Sequence, residues 1–226
     1  MDGSTGAHLK YELLIFDWDG TLADSAGQIV SAMQAAITGL GLPPRSDESI
    51  RELIGLGLND ALMRLYPELE LNGSRALLDS YRAKWLAEGA GEARLFDGAF
   101  EAIAELHAQG YRIAIATGKS RRGLDRSLRH HAELAELVIN SRCADETASK
   151  PDPLMLRELL ADEGIAPQRA LMVGDTEYDM AMAQAITMPG LGVACGVHVP
   201  GRLQRFGAAA VLESVAALPG WIQGRV

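Results

Sequence analysis

Apolar residues in this chain come in short unbroken runs separated by longer amphipathic stretches. Leu13-Leu14-Ile15-Phe16 runs directly into Asp17, and similar runs cover Tyr111 to Thr117, Leu137 to Asn140, Ala170 to Asp175, Met188 to Ala194 and Ala208 to Leu212. A continuous apolar run of this length reads as a strand buried on both faces, the habit of parallel sheets. Between most runs the apolar residues recur at helical spacing. Phe100 to Gln109 sets Ile103 and Leu106 on one face and stops at Gly110, Leu154 to Glu163 stops at Gly164, and Glu177 to Ile186 repeats the pattern. Strand and helix in alternation predict an α/β fold: a Rossmann-like three-layer parallel sheet with right-handed crossovers.

One stretch breaks the alternation. Ser25 to Gly91 carries no strand signal and reads as successive helices over Ser25 to Leu40, Asp47 to Ile54, Asn59 to Tyr66 and Ser74 to Glu88, punctuated by Pro43-Pro44 and Asn72-Gly73. That is too long for a crossover connection. The expected organisation is a core of residues 9–24 and 92–226 with an all-helical unit, residues 25–91, inserted after the first strand. Its hinges are expected at Asp24-Ser25 and between Glu92 and Asp97.

Composition narrows the partners. The 226 residues carry a net charge of -9, with 48% hydrophobic and 23% charged residues. An acidic chain of this kind argues against nucleic acid and anionic membrane surfaces, which require basic patches. An anionic substrate would need a local cation to reverse the field. Asp2 to His8 reads as a loose polar tail without the apolar core of a signal peptide, and no run approaches the ~18 apolar residues of a membrane span. Cys143 and Cys195 belong to no C-x-x-C motif, so both are expected to be reduced thiols of a cytoplasmic protein.

The chemistry-bearing residues gather at the expected strand exits, where open α/β sheets bind their ligands. Asp17 and Asp19 lie at i and i+2 and share a face in extended chain. Such a pair suits a nucleophile beside a proton carrier, and equally a turn or cap. Ala170 to Val173 leads into Gly174-Asp175, with Asp179 one helical turn later; converging with Asp17, these acids would suit a hard cation such as Mg²⁺, or else cap the next helix. Thr117 ends the second strand run, where its hydroxyl and the amides of Gly118 and Lys119 could hold a phosphate, or where Thr117 simply caps a helix. Lys150, in Ser149-Lys150-Pro151-Asp152-Pro153, is either a surface lysine or the cation that neutralises carboxylates and a transferring phosphoryl group.

In this order the four motifs resemble those of the haloacid dehalogenase superfamily, in its phosphoglycolate phosphatase-like phosphatase branch. The matching residues are Asp17-Trp18-Asp19-Gly20-Thr21-Leu22-Ala23-Asp24-Ser25, Ala116-Thr117-Gly118-Lys119-Ser120, Ser149-Lys150-Pro151-Asp152-Pro153 and Val173-Gly174-Asp175-Thr176-Glu177-Tyr178-Asp179. The resemblance implies a phosphatase acting on a small phosphomonoester through an aspartyl-phosphate. Asp17 would be the nucleophile, Asp19 the acid and base, and Thr117 and Lys150 the phosphoryl clamp. Mg²⁺ would be held by the Asp17 carboxylate, the Asp19 backbone carbonyl and Asp175, while Asp179 supports the metal or orients Lys150. The helical insert takes the position of the family's cap, and Ile54-Gly55-Leu56-Gly57-Leu58-Asn59 either resembles the cap loop that reaches the active site or is a plain helix-helix turn. Arg45 and Arg51 are either substrate-carboxylate binders or solvated helix charges. Many relatives carry Asn where this chain has Gly118. The expected partner is a small phosphorylated metabolite bound to a monomer or homodimer. A phosphomutase of the same superfamily, a dehalogenase and a non-hydrolytic phosphate-binding protein are the competing readings.

Overall fold

The computed structural model describes residues 10–85 and 91–224. The tail expected at Asp2 to His8, and the end of the helix expected to reach Glu88, lie outside the described residues. Six strands are described: β1 (Leu13–Phe16), β2 (Arg112–Thr117), β3 (Val138–Cys143), β4 (Ala170–Gly174), β5 (Gly190–Val193) and β6 (Ala208–Leu212). They form one sheet in the order β3-β2-β1-β4-β5-β6, every neighbouring pair parallel. The expected Rossmann-like α/β core is therefore present.

Eleven α-helices accompany the sheet among the described residues. After β1 come α1 (Ala26–Gly39), α2 (Asp47–Arg51), α3 (Leu58–Leu65) and α4 (Leu71–Trp85). The rest of the chain supplies α5 (Ala99–Ala108), α6 (Arg121–His130), α7 (Ala132–Ala135), α8 (Leu154–Glu163), α9 (Glu177–Gln184), α10 (Pro200–Arg205) and α11 (Leu218–Ile222).

Side chains on a strand alternate between faces, and both faces of this sheet are covered. Leu14 and Phe16 of β1 pack with Ile103 and Leu106 of α5 and Leu124 of α6. Leu13 and Ile15 point the other way, toward Met155 and Leu159 of α8 and Met182 of α9. That is why β1 and β4 are apolar at every position rather than at every second one, while the edge strand β3, expected over Leu137 to Asn140, continues through the polar Ser141 and Arg142 to Cys143.

Helices α1 to α4 have a hydrophobic cluster of their own, built on Val30, Met33, Ile37, Ile50, Leu62, Leu65 and Leu77. The chain enters and leaves this block along two adjacent segments: Asp24 N–H donates to the Arg94 carbonyl, and Phe96 N–H donates to the Leu22 carbonyl, each at 2.9 Å. The two expected hinges thus lie side by side. Asn72-Gly73, expected to separate helices, instead lies within α4, which begins at Leu71. Leu69 packs over this turn, and a Cβ at position 73 would stand 3.1 Å from its Cδ2. Position 73 lies inside the helix, where the missing Cβ leaves room for Leu69.

Sheet order fixes where ligands bind. β1 pairs with β2 on one side and β4 on the other, so the direction of strand addition reverses at β1. A reversal of this kind opens a crevice at the carboxyl ends of the central strands. Phe16 is level with Ile115 and with Val173, so Asp17, Thr117 and Asp175 all leave the sheet at the same edge.

Candidate active site

At the tip of β1 the chain turns immediately. Gly20 adopts a left-handed φ of 84°, and any Cβ there would collide with the Asp175 carboxylate. Glycine is thus required twice over, by conformation and by space. Gly196, in the loop after β5, approaches Asp175 from another side and also has no room for a side chain.

Between these walls sits a buried charge cluster. Carboxylate oxygens of Asp17, Asp175 and Asp179 all lie within 4.8 Å of one another. Lys150 is fully buried and points its Nζ at two of them, 2.8 Å from Asp17 Oδ1 and 2.7 Å from Asp179 Oδ1. Burial works against the lysine ammonium, but the two carboxylates more than offset it, so its pKa stands above the ordinary lysine value. Burial pushes the Asp17 carboxyl well above the usual carboxylate range; Lys150 opposes this, and Asp179 and Asp175 reinforce it. Burial, and then the Asp179 charge, push Asp175 up to about 7, against the pull of Val197 N–H and the Thr21 hydroxyl. Those two groups donate to Asp175 Oδ2 and Oδ1 at 2.9 and 2.8 Å.

Asp17 Oδ2 is buried and has no hydrogen-bond partner among the described residues. An orphaned carboxylate oxygen beside two further buried acids, with one lysine against three acids, is a donor set that fits a hard divalent cation.

Asp179 does two jobs. Its Oδ2 accepts from both the backbone N–H and the hydroxyl of Thr176, closing a capping box that starts α9. Its Oδ1 then faces Lys150. The two roles that the sequence leaves as alternatives, helix cap and charge partner, belong to one residue.

Asp19 stands apart from the three clustered carboxylates. Its Oδ1 accepts from the Ser25 hydroxyl at 2.6 Å and lies 3.0 Å from Lys119 Nζ. The Lys119 side chain is the functional group that motif reading overlooks, since only its backbone amide is expected to act. That amide instead donates to Thr117 Oγ1 at 3.2 Å. Helix α6 starts further on, with Ser120 rather than Thr117 as its cap, because the Ser120 side chain accepts from Gly123 N–H. Thr117 is fully buried at the β2 tip.

The segment Ile54 to Asn59 reaches the core, as its glycines suggest. Gly57 N–H donates to Ser149 Oγ at 2.8 Å. A Cβ on Gly118 would stand 2.5 Å from the Leu56 carbonyl oxygen and 2.6 Å from that of Gly55. The backbone of the helical block therefore occupies the space an Asn side chain at position 118 would need. On the flank, Arg202 of α10 ion-pairs with both Glu52 and Glu177, and the Tyr178 hydroxyl donates to the Glu52 carbonyl at 2.8 Å. Buried His198 accepts from Glu177 N–H, and burial holds its pKa below the ordinary value. Arg45 is not at the site: it bonds the Leu65 carbonyl and Glu68 within the helical block, stacked over Tyr66.

A cavity of about 530 Å³ lies between core and helical block, with Asp17 and Asp19 at its floor and Gly118, Lys119 and Ser149 on its core side.

Sheet topology, strand-exit acids and buried lysine together describe a hydrolase of the haloacid dehalogenase type. The haloacid dehalogenase-like hydrolase family matches residues 14–193, and the chain belongs to that family. It is 28% identical to a phosphoglycolate phosphatase of Rhodospirillum rubrum, over 92% of this chain and 90% of that one. It is 30% identical to a 5'-nucleotidase of Pseudomonas aeruginosa, over 84% of this chain and 86% of that one. The crystal structure of a hydrolase from Pseudomonas syringae superposes with a TM-score of 0.83 at 26% identity, covering 95% and 98% of the two chains. Within the family this chain is an enzyme of the phosphoric monoester hydrolase class, similar to phosphoglycolate phosphatases. No described helix is long and apolar enough to cross a membrane.

Proposed function

We propose that this enzyme hydrolyses phosphomonoesters through an aspartyl-phosphate on Asp17, with Mg²⁺ as its metal. The observation that carries the reading is the buried lysine held between two carboxylates, beside an Asp17 oxygen that has no hydrogen-bond partner among the described residues. Such an arrangement is costly in a fold alone and sensible where a dianionic phosphoryl group and a cation complete the charge balance.

Asp17 attacks phosphorus, and the bond from phosphorus to the ester oxygen breaks. Asp19 gives its proton to the departing alkoxide. It then takes a proton from the water that attacks the aspartyl-phosphate, releasing inorganic phosphate and free Asp17. Ser25 and Lys119 hold Asp19 in place for both transfers. Lys150 and Thr117 bind phosphoryl oxygens, and Lys150 also balances charge as phosphate bonds rearrange. The metal would be held by Asp17 and Asp175 with the Asp19 backbone carbonyl, and Asp179 would support it through Lys150. Bound there, it neutralises the carboxylates and draws negative charge off the transferring group.

Residues 25–91 act as a cap on the core formed by 9–24 and 92–226, moving on the paired segments around Asp24 and Arg94. The enzyme works on a phosphorylated metabolite in the cytoplasm.

Asp17→Asn tests the chemistry. Turnover of 4-nitrophenyl phosphate is expected to vanish while the circular dichroism spectrum is kept. Substantial Mg²⁺-dependent turnover in the folded variant overturns the mechanism.

A further inference from the structure

Above the phosphate end, the cavity is not built for a short carboxylated molecule. Its volume of about 530 Å³ is that of a site for a ligand of many atoms. The wall contributed by the helical block is apolar, with Ile29, Met33, Leu53 and Leu58 beside the aromatic pair Tyr81 and Trp85. The two rings lie nearly parallel, 16° apart, with centroids 6.1 Å from one another.

This aromatic corner stands on the leaving-group side of the site. Lys119 Nζ is 3.0 Å from Asp19, the group that protonates the departing oxygen, and 4.8 Å from the Trp85 ring centroid. One lysine thus spans from the proton donor to the aromatic wall. Lys119 is also the cation of the cavity interior among the described residues, and Asp19 already holds it. Arg82 and Arg122 line the cavity but are exposed, and Asp60 and Asp145 line it as well. A leaving group with its own carboxylate meets apolar walls and a paired lysine in the interior, and the remaining lining cations, Arg82 and Arg122, are exposed to solvent. A flat apolar group meets surface that it can desolvate.

Building on the phosphatase reading, we infer that the substrate's leaving group carries a flat, uncharged aromatic or heteroaromatic portion that packs against Tyr81 and Trp85. The substrate class is then aryl-bearing or nucleoside-like phosphomonoesters rather than two-carbon phosphoacids.

The full chain with Mg²⁺ is assayed on ethyl phosphate, 2-phenylethyl phosphate and 2-phosphoglycolate. The first two share a primary alkoxide leaving oxygen and differ in the ring. kcat/KM for the phenylethyl ester is expected to exceed that of both others by about tenfold or more. In Trp85→Leu the phenylethyl-to-ethyl ratio is expected to fall at least about threefold, mainly through KM. Equal turnover of the phenylethyl and ethyl esters, or a preference for 2-phosphoglycolate, overturns the inference and leaves the phosphatase reading standing. Absence of turnover on all three, and on 4-nitrophenyl phosphate, overturns both. The substrate series uses the unaltered protein, so it decides the matter even if the variant is unstable.

Discussion

Replacing Lys150 with Met removes one positive charge from a place where water cannot substitute for it. The side chains of Lys150 and Asp179 are 0% exposed and that of Asp17 is 1% exposed. Methionine fills similar space, so the change is chiefly electrostatic. Deleting one partner of a buried pair costs about 3–5 kcal/mol, because the charge left behind stays desolvated. Here two carboxylates lose their counterion and Asp175 lies close by, so the upper part of that range is expected. Against a total stability of about 5–15 kcal/mol the loss is large, and Tm should fall by about 6–20 °C for a chain of this size. The pH dependence has a definite sign. Asp17 and Asp175 have pKa values raised by folding, so their ionisation opposes the folded state as pH rises. Lys150 relieves that opposition; without it, protonation is the remaining remedy. The stability gap between wild type and Lys150→Met should be widest near pH 8 and shrink toward pH 5. Urea unfolding followed by circular dichroism, with metal chelated, measures it, and Asp17→Asn in the variant background should recover part of the loss. A gap below about 1 kcal/mol at pH 8 would mean that the lysine does not carry the cluster. A gap unchanged between the two pH values would refute the reasoning about proton uptake.

Two further predictions follow from the same geometry. Asp175, held up to about 7, must lose its proton to bind a cation, so the apparent Mg²⁺ affinity should climb from about pH 6 to pH 8 and then level off; a calorimetric titration giving a flat profile contradicts this. Gly118→Ala places a Cβ 2.5 Å from a backbone carbonyl of the 54–59 segment; it should cost about 1–3 kcal/mol or displace that segment and raise KM, and an unchanged urea midpoint and KM would count against it.

Much of this architecture is legible along the chain, for identifiable reasons. Both faces of the central sheet are covered, so β1 and β4 are unbroken apolar runs and are visible, whereas the edge strand β3 carries Asn140, Ser141 and Arg142 and runs on past the apolar residues that mark its start. Asp17 and Asp175 stand out because each ends an apolar run at a strand exit, where open α/β sheets bind their ligands. What escapes is whatever depends on side chains meeting from distant segments. Nothing local marks Lys119 as the partner of Asp19, because the contact joins the tips of β1 and β2. Arg202 reaches Glu52 across 150 positions of sequence, so the ion pair tying the helical block to the core has no motif. Thr117, read as a possible cap, still belongs to β2, and the helix that follows is capped by Ser120 instead. Asn72-Gly73 misleads because a turn dipeptide is only a weak local preference, and here it falls inside the first turn of α4.

The Thr21 hydroxyl bonds Asp175 across 154 positions of sequence, and this has a consequence for how the enzyme comes into being. Its clustered acids and lysine are spread from residue 17 to residue 179, and the proposed chemistry needs them together. A ribosome that has delivered β1 and its tip has made Asp17 but neither Lys150 nor the acids that cluster with it. Competence arrives only after the helix at Glu177 has been made and the sheet has closed around β1. Turnover is thus an all-or-none certificate of a finished fold, and truncated or half-assembled chains should be catalytically silent rather than weakly active.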